Sequence, residues 1–225
     1  MQSSLQSARP AVVHRYAEAR VPTEFGPFRV VVYRDAEGAE HLAVVRGEVA
    51  GAEEVLGRVH SECFTGEVLH SLKCDCRGQL DLALRRIAEA DRGVVVYLRQ
   101  EGRGIGLGNK IRAYALQEQG LDTVDANRAL GFGDDLRRYD VAAEILRDLG
   151  VRSLVLMTNN PDKVQALREG GIPVARRVPH LVPANEHSAD YLHVKRVRMG
   201  HLIDSGWLGV RPERRPLAAV ADGEE

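Results

Sequence analysis

The three cysteines of this chain fall in one short stretch, at Cys63, Cys74 and Cys76, with the spacing C-x10-C-x-C. A disulfide explains them poorly, because an odd count leaves one thiol over and two cysteines separated by one residue close a strained loop. Three thiolates, by contrast, can hold a tetrahedral zinc ion whose fourth position is open. Such an open position distinguishes catalytic from structural zinc, since water bound there becomes a nucleophile near neutral pH. The stretch therefore predicts a catalytic zinc site.

The alternative is that the cysteines are three small residues of an apolar core. Charged residues such as Glu62 and Asp75 flank them, however, and charged residues are rare in a core. Cys76 also lies just before a predicted helix, and a helix N-terminus favours a thiolate. We therefore rank the metal site above the core interpretation.

A second stretch that could take part in binding or catalysis is the glycine-rich segment 99–110, RQEGRGIGLGNK, which follows the apolar run 94–98. A strand, a glycine-rich loop and a helix in this order are typical of phosphate binding. Both familiar fingerprints fail here. The dinucleotide pattern needs glycine where Leu107 stands, and the P-loop needs an adjacent Gly-Lys where Asn109 precedes Lys110. A flexible turn whose glycines merely permit positive φ angles is the alternative.

The segment TNNPDK, residues 158–163, predicts another anion site. Asn160 is expected to cap a helix that begins at Pro161. Free backbone N–H groups at that end, with Lys163 one turn into the helix, favour an anion. The more common fate of an isolated helix lysine is simple solvation, and this alternative stays open.

Composition narrows the class of protein. The chain has 225 residues, of which 44% are hydrophobic and 28% charged, with a formal net charge of -1. These values predict a folded domain with a sizeable core and argue against disorder and a broad nucleic-acid-binding surface. No apolar run reaches membrane length, and residues 1–10 lack a signal-peptide pattern. We expect a cytoplasmic protein without nucleic-acid or membrane partners.

Apolar periodicity predicts the elements that position these residues. Strands are expected at 28–33 and 41–46, forming a hairpin, and then at 55–62, 94–98, 154–157 and 173–178. Helices are expected from 79, at 109–119, at 141–149, from 161 and at 191–203. The strand at 55–62 would deliver Cys63 to the metal.

This order of elements predicts a mixed α/β (α+β) fold. We expect a parallel-strand core with flanking helices, joined to a strand-rich N-terminal part that carries the zinc site. The parse is a loosely ordered lead-in at 1–20, a single catalytic domain at 21–205 and a disordered tail at 206–225.

Several motifs in fixed order resemble one family. They are RVHSEC at 58–63, SLKCDC-x-x-QL at 71–80, RQEGRGIGL-x-NK at 99–110, DLRRY at 135–139, TNNPDK at 158–163, and YL-x-x-K and MGH near the C-terminus. Together they are similar to GTP cyclohydrolase II over roughly residues 20 to 203. In a few places the chain departs from the usual family pattern, at Lys73, Arg77, Gly108 and Val194, and none of these positions is a ligand or catalytic group.

The resemblance implies roles for individual residues. Cys63, Cys74 and Cys76 correspond to the zinc ligands. Asp135 corresponds to the proton acceptor, Arg137 to the nucleophile toward the α-phosphate, and Tyr114 to a tyrosine needed for ring opening. Positions that hold GTP correspond to Arg58, Val59, His60, Ser61, Glu62, Gln79, Glu101, Gly102, Arg103, Thr123, Thr158 and Lys163.

The resemblance also implies an activity. GTP would lose formate and pyrophosphate to give 2,5-diamino-6-ribosylamino-4(3H)-pyrimidinone 5′-phosphate, the first step of riboflavin biosynthesis, with Zn2+ and Mg2+ as cofactors and a homodimer as the assembly. Two alternatives remain. One is a paralogue that stops at a formylated intermediate or serves a specialised pathway, and the other is a zinc-dependent nucleotide-binding module without turnover.

The nucleophile role implied for Arg137 is chemically unusual, because a protonated guanidinium has no free lone pair and its pKa lies above ~12. Positioning the phosphate and stabilising its charge explains the same residue more simply.

Overall fold

The computed structural model describes residues 13–133, 135–183, 185, 188–198 and 200–203, and for residues 123, 124, 189 and 190 the backbone only. Residues 1–12 of the predicted lead-in and the whole predicted tail at 206–225 lie outside this part.

Seven strands in the described part of the chain form one sheet. They are β1 (Val13–Thr23), β2 (Gly26–Asp35), β3 (Glu40–Arg46), β4 (Val55–Ser61), β5 (Gly93–Leu98), β6 (Leu154–Met157) and β7 (Val174–Val178). Their order across the sheet is β1-β2-β3-β5-β4-β6-β7.

Strand β5 divides the sheet into two halves. On one side β1, β2, β3 and β5 pair antiparallel, and on the other β5, β4, β6 and β7 pair parallel. The predicted hairpin and the mixed α/β class are confirmed. The observed sheet differs in one respect from the predicted division into a parallel core and an N-terminal part that carries the zinc site. Strand β4, which leads to Cys63, belongs to the parallel half and not with the N-terminal hairpin.

Strand β1 corrects the prediction of a loosely ordered lead-in, since residues 13–20 pair with β2. Nearly all of its side chains are exposed on both faces. An edge strand of this kind buries no face and therefore shows no hydrophobic alternation in its sequence.

The helices flank the sheet on both faces. They are α1 (Phe64–Glu67), α2 (Cys76–Glu89), α3 (Gly106–Glu118), α4 (Thr123–Ala129), α5 (Asp140–Asp148), α6 (Pro161–Glu169) and α7 (Ala189–Arg198), with a 3₁₀ turn at Glu101–Gly104. The predicted stripe of α5 is confirmed, because Ala142, Ile145, Leu146 and Leu149 are all buried. The closing helix, expected at 191–203, begins two residues earlier and ends at Arg198.

Two apolar clusters hold the layers together. The larger joins α5 to one face of the sheet, for example through Ile145 and Leu156, and the smaller joins Ile87 of α2 to Val95 and Met157 on the other face. No helix among the described residues combines the length and apolar character that crossing a membrane requires.

The parallel half brings three chain segments to one edge of the sheet. Strands β4, β5 and β6 run in the same direction, and Ser61 at the end of β4 is paired with Leu98 at the end of β5. Residues 62–63, 99–104 and 158–160 therefore leave the sheet side by side. In open α/β sheets this edge is the usual place of a ligand site.

Candidate active site

The three cysteine sulfurs converge at this edge. Cys63 directly precedes α1, Cys74 lies in the loop that follows, and Cys76 is the first residue of α2. Their Sγ atoms all lie within 4.8 Å of one another, and those of Cys63 and Cys74 are 3.7 Å apart. Two thiolates on a tetrahedral zinc, each ~2.3 Å from the metal, are separated by about 3.8 Å. The donor set and its spacing thus fit a zinc ion.

Glycine is required beside these sulfurs. A Cβ atom at Gly66 would lie 2.9 Å from Cys74 Sγ and 3.2 Å from Cys63 Sγ. Both distances are too short for ordinary packing, so any side chain there would push the sulfurs apart. The helix α1 therefore forms one wall of a cradle for the metal.

The surroundings favour thiolate at Cys63. Hydrogen bonds from the thiols of Cys74 and Cys76 lower its pKa well below the usual range, and Lys110, whose Nζ lies 3.1 Å from Cys63 Sγ, acts in the same direction. Its thiolate in turn raises the pKa of Cys74 to about 11. The hydrogen bond with Cys63 likewise raises the pKa of Cys76, so without a metal Cys63 is the thiolate of the cluster, and a divalent cation would stabilise all three as thiolates.

A cavity of about 400 Å³ opens in front of the sulfurs. On the metal side it is lined by Ser61, Glu62, Cys63, Cys74, Cys76 and Tyr114. Glu101 and Gly102 also line it, together with Arg103 and Arg137, which form its cationic wall. Ten of the predicted site residues thus surround one space.

Positive charge collects near Arg103 and Arg137, and of these two arginines only Arg137 has a carboxylate partner, Asp135, among the described residues. Both terminal nitrogens of the Arg103 guanidinium are buried and have no hydrogen-bond partner among the described residues. Lys163 is 6% exposed and donates to the Val59 carbonyl at 2.8 Å. Burial lowers its pKa well below the usual range, and the nearby charges of Arg58 and Arg137 lower it further. An anion in this region would therefore relieve repulsion and satisfy free donors.

The glycine-rich turn has an unusual backbone. Gly102, Arg103 and Gly104 are consecutive residues with φ of 62°, 61° and 90°. A Cβ at Gly104 would lie 3.0 Å from the Leu136 carbonyl, and Leu136 N–H donates to the Arg103 carbonyl at 3.1 Å. Because a left-handed arginine is disfavoured, this conformation is held by its surroundings, which is common at binding sites.

Asp135 and Arg137 form a tight pair beside the cavity. The guanidinium contacts both carboxylate oxygens, at 2.9 Å from Nε to Oδ1 and 2.5 Å from Nη2 to Oδ2. Burial alone would raise the pKa of Asp135, but the hydrogen bonds from Arg137 lower it overall. Burial opposes the charge of Arg137, yet Asp135 raises its pKa overall. At neutral pH both side chains are therefore ionised.

Tyr114 projects from α3 into the metal side of the cavity. Burial raises the pKa of Tyr114 to about 12, although Lys110 and Thr65 oppose this shift. Lys73 Nζ lies 4.8 Å from the ring centroid. The phenol is thus protonated at neutral pH and can donate a proton.

Comparison with known proteins gives the family. A family model described as GTP cyclohydrolase II matches residues 14–179. The chain is 54% identical to GTP cyclohydrolase-2 of Histophilus somni over 188 residues, which are 83% of this chain and 87% of that protein. The chain belongs to the GTP cyclohydrolase II family. The assignment from the motifs is thereby confirmed.

Other members of the GTP cyclohydrolase II family show the same extent of likeness. GTP cyclohydrolase-2 of Aeromonas hydrophila is 53% identical over 188 residues, 83% of this chain and 95% of that protein. Riboflavin biosynthesis protein RibBA of Bacillus velezensis is 54% identical over 194 residues, but the match covers 85% of this chain and only 49% of that protein. The relatives of this chain thus include a protein named for riboflavin biosynthesis.

Glu62 is the carboxylate of this GTP cyclohydrolase II family member that faces the cavity next to the sulfurs. Its Oε2 accepts from Arg99 Nε at 2.9 Å, which fixes its direction. The neighbouring Gln100 donates to Ser61 Oγ at 2.9 Å and accepts from Arg138 N–H at 3.0 Å. Both cavity residues at the end of β4 are thus held by the segment that follows β5.

Several predicted GTP contacts lie behind the cavity wall in this family member. The amide of Gln79 is bonded to Arg58 and to Asp75, and Arg58 also donates to the Met157 carbonyl at 2.9 Å. Glu101 does line the cavity, but its carboxylate is engaged internally, since it accepts from Phe64 N–H at 2.5 Å and from Lys110 at 2.8 Å. These side chains organise the site from within the protein.

Three further predictions concern residues around the sheet edge. His60 does not line the cavity but bonds Glu67 Oε1 at 2.7 Å, and Val59 lies in the core. Thr158 is buried and accepts from Asn160 N–H at 3.1 Å, while Asn160 caps α6 as predicted. Thr123 begins α4, and its side chain lies outside the described ones.

Sequence reasoning missed Lys110, which contacts both Cys63 and Glu101. It also missed Tyr191 of α7, which lines the cavity with the Arg103 guanidinium 5.6 Å from its ring centroid. Lys110 lies in the motif RQEGRGIGL-x-NK, and Tyr191 lies in the motif YL-x-x-K. Their place within those motifs was the available signal, since neither spacing nor periodicity distinguishes them from ordinary helix residues.

Proposed function

We propose that this chain hydrolyses GTP, releasing formate and pyrophosphate and leaving 2,5-diamino-6-ribosylamino-4(3H)-pyrimidinone 5′-phosphate. One observation carries this proposal: a single cavity has a wall of three clustered thiols and a wall with two arginines, of which Arg103 has both terminal guanidinium nitrogens buried without hydrogen-bond acceptors among the described residues. GTP is a ligand with a base for the first wall and a polyphosphate for the second. The names of the curated relatives support the same substrate.

The cationic wall suits the triphosphate. Arg103 offers two unpartnered nitrogens, and Arg137 remains protonated beside Asp135. Because protonated Arg137 lacks a lone pair, we assign it to binding the α-phosphate and stabilising charge as pyrophosphate leaves, instead of nucleophilic attack. Mg2+ bound by the triphosphate would neutralise further charge on the leaving pyrophosphate. In this proposal Asp135 orients Arg137 and accepts a proton from the attacking water.

The sulfur wall suits the chemistry of the ring. Cys63, Cys74 and Cys76 would hold a zinc ion, which supplies a Lewis acid that activates water at neutral pH. Release of formate requires two water molecules to add in turn at the carbon between the two imidazole nitrogens. The first breaks one carbon–nitrogen bond and leaves a formamide, and the second breaks the other bond and releases formate. Each departing nitrogen then needs a proton. Tyr114, protonated at neutral pH and lining this wall, is placed to donate one.

The overall test is direct. Incubation of the purified protein with GTP, Mg2+ and zinc should release formate and pyrophosphate in equal amounts, measured in parallel assays. Release of pyrophosphate without formate, with the formyl group retained on the ring-opened nucleotide, would indicate the paralogue, and absence of both products would indicate a binding module. The proposal includes a homodimer, a single catalytic domain at 21–205 and use of the product for riboflavin, for which light scattering, limited proteolysis and genetic complementation are the respective measurements.

Guanine selectivity gives the first specific prediction. A carboxylate at Glu62 can accept from the ring N–H and the exocyclic amine of guanine, and adenine lacks this arrangement. We expect Glu62→Gln to lower kcat/KM for GTP by about 10- to 100-fold, because a hydrogen bond to a charged group is worth ~1.5–3 kcal/mol. Steady-state kinetics with GTP and ATP measure this change.

Glu53→Gln is the matched control, since Glu53 is exposed and remote from the cavity lining. Glu53→Gln should leave kcat/KM for GTP and for ATP unchanged. If wild-type protein turned over ATP as well as GTP, the role assigned to Glu62 would be wrong.

Proton donation by Tyr114 gives the second specific prediction. Tyr114→Phe removes only the hydroxyl, so zinc content and pyrophosphate release should persist while formate release falls by about 10²–10⁴-fold. Tyr16→Phe, at an exposed tyrosine of β1, should change neither product. Chromatography of the nucleotide products separates the two steps. An unchanged rate of formate release in Tyr114→Phe would rule out proton transfer by this residue.

A further inference from the structure

A buried ion pair joins helix α7 to Asp75, the residue between Cys74 and Cys76 at the start of α2. Lys195 Nζ lies 3.0 Å from Asp75 Oδ1, across 120 residues of sequence. Lys195 is 9% exposed and Asp75 is 8% exposed. Asp75 stands between Cys74 and Cys76, so the pair directly adjoins the proposed metal site.

Asp75 does not act as its position would suggest. It is the N-cap residue of α2, where an aspartate commonly accepts from backbone N–H groups, but its side chain makes no capping bond. Its two oxygens are bonded instead to Lys195 and to the Gln79 amide, and Gln79 is bonded in turn to Arg58. The carboxylate is therefore committed to a buried network behind the sulfurs.

Charge explains why a lysine is needed there. With a metal bound, Cys74, Asp75 and Cys76 would be three consecutive anionic side chains. Asp75 contributes no ligand atom to the sulfur cluster, so its negative charge remains uncompensated by the metal. A buried carboxylate beside two thiolates is strongly unfavourable unless a cation pairs with it. Lys195 is the cation that the structure places against it.

Lys195 also contacts a residue of the cavity lining, Tyr191. Its Nζ lies 4.3 Å from the centroid of the Tyr191 ring, and the same ring is contacted by Arg103 of the cationic wall. The match to the family model ends at residue 179, before α7 begins. The site assignments made above leave Lys195 without a role.

We propose that Lys195 is a positioning residue for the metal site: it neutralises Asp75 and thereby holds Cys74 and Cys76 in ligand geometry. This inference rests on the zinc site of the proposed function. Partners that orient metal ligands from outside typically change metal affinity by about 10- to 100-fold when they are removed. Such a residue touches no substrate atom, and its effect reaches turnover only through the metal.

The test is the metal affinity of Lys195→Met, which removes the charge and keeps an apolar stem of similar length. Zinc is titrated against a chromophoric chelator, and the Co2+-loaded protein is compared by its thiolate-to-metal absorption bands. We expect about 10- to 100-fold weaker zinc binding and shifted Co2+ bands. Arg196→Met is the matched control, because Arg196 is exposed on the same helix and loses the same charge.

The Co2+ bands distinguish positioning from a general loss of stability, which would leave the spectrum of the folded fraction unchanged. Affinity and bands equal to those of wild type in Lys195→Met would overturn the inference. If wild-type protein itself bound no zinc, the proposed function would fail first, and the two failures are therefore distinguishable.

The variants Asp75→Asn and Asp75→Asn/Lys195→Met test the route and remain informative if Lys195→Met does not fold. Asparagine removes the charge that the lysine compensates. The double variant should therefore bind zinc less than about 3-fold more weakly than Asp75→Asn alone. A further loss of about 10-fold or more in the double variant would show that Lys195 does not act through Asp75, and would overturn the proposal.

Discussion

Replacing Cys76 by serine is expected to abolish zinc binding and to lower formate release by about 10³-fold or more, while pyrophosphate release continues. The reason is the division of the cavity. Cys76 belongs to the three-sulfur cluster, whereas Arg103 and Arg137 form the cationic wall and need no metal at the sulfurs to bind phosphate. Serine keeps the size of the side chain but is a poor zinc ligand.

The measurements are zinc content by mass spectrometry, parallel formate and pyrophosphate assays, and chromatography of the nucleotide. GMP should accumulate in place of the diaminopyrimidine. Continued pyrophosphate release is the internal control for a folded site, and Cys74→Ser should behave in the same way. Loss of both products in equal proportion would show that the cavity works as one indivisible unit.

Replacing Arg137 by alanine should have the second largest effect, with pyrophosphate release reduced by about 10²–10³-fold. The guanidinium is ionised, is held by Asp135 and lines the cationic wall. Its loss removes charge stabilisation from the departing pyrophosphate. Zinc content should stay at the wild-type level, since Arg137 contacts none of the three cysteines.

Arg138→Ala is the matched control for this change. The side chain of Arg138 is 56% exposed and pairs with Asp140 away from the cavity. We expect the rate of pyrophosphate release in Arg138→Ala to stay within about 2-fold of wild type, because substitutions of exposed residues usually have small effects. Equal losses in the two variants would point to the shape of this segment and not to the Arg137 charge.

Formate release in Arg137→Ala indicates the order of the two steps. If the phosphate must be engaged before the ring opens, formate release falls together with pyrophosphate release. If the ring opens independently, the triphosphate form of the opened product accumulates. Either result is compatible with the charge role of Arg137, and only retained pyrophosphate release contradicts it.

The sequence by itself predicted a metal site at the three cysteines and the order of the elements. The C-x-C pair is a local feature, because two residues so close cannot separate in space, and a disulfide between them would close a strained loop. Apolar periodicity predicted β4, β5, β6 and the buried stripe of α5 for the same local reason. It failed at β1, where an exposed edge strand has no buried face to mark it.

Only the tertiary structure decided which predicted side chains face the cavity. Glu62 and Gln79 are equivalent candidates from their motifs, yet Glu62 lines the cavity and Gln79 is bonded internally to Arg58 and Asp75. A motif states which residues are needed but not which hydrogen-bond partner each will take. That choice depends on burial, and burial is set by segments far away in the chain.

The convergence of distant segments was likewise decided by the fold. Lys195 meets Asp75 across 120 residues, and Lys163 meets the Val59 carbonyl across 104. No spacing rule connects such residues, because their approach follows from parallel strands ending at one edge and from the docking of α7. The sequence therefore determined the chemical groups of this protein, and the packing of the sheet and helices decided which of them act together.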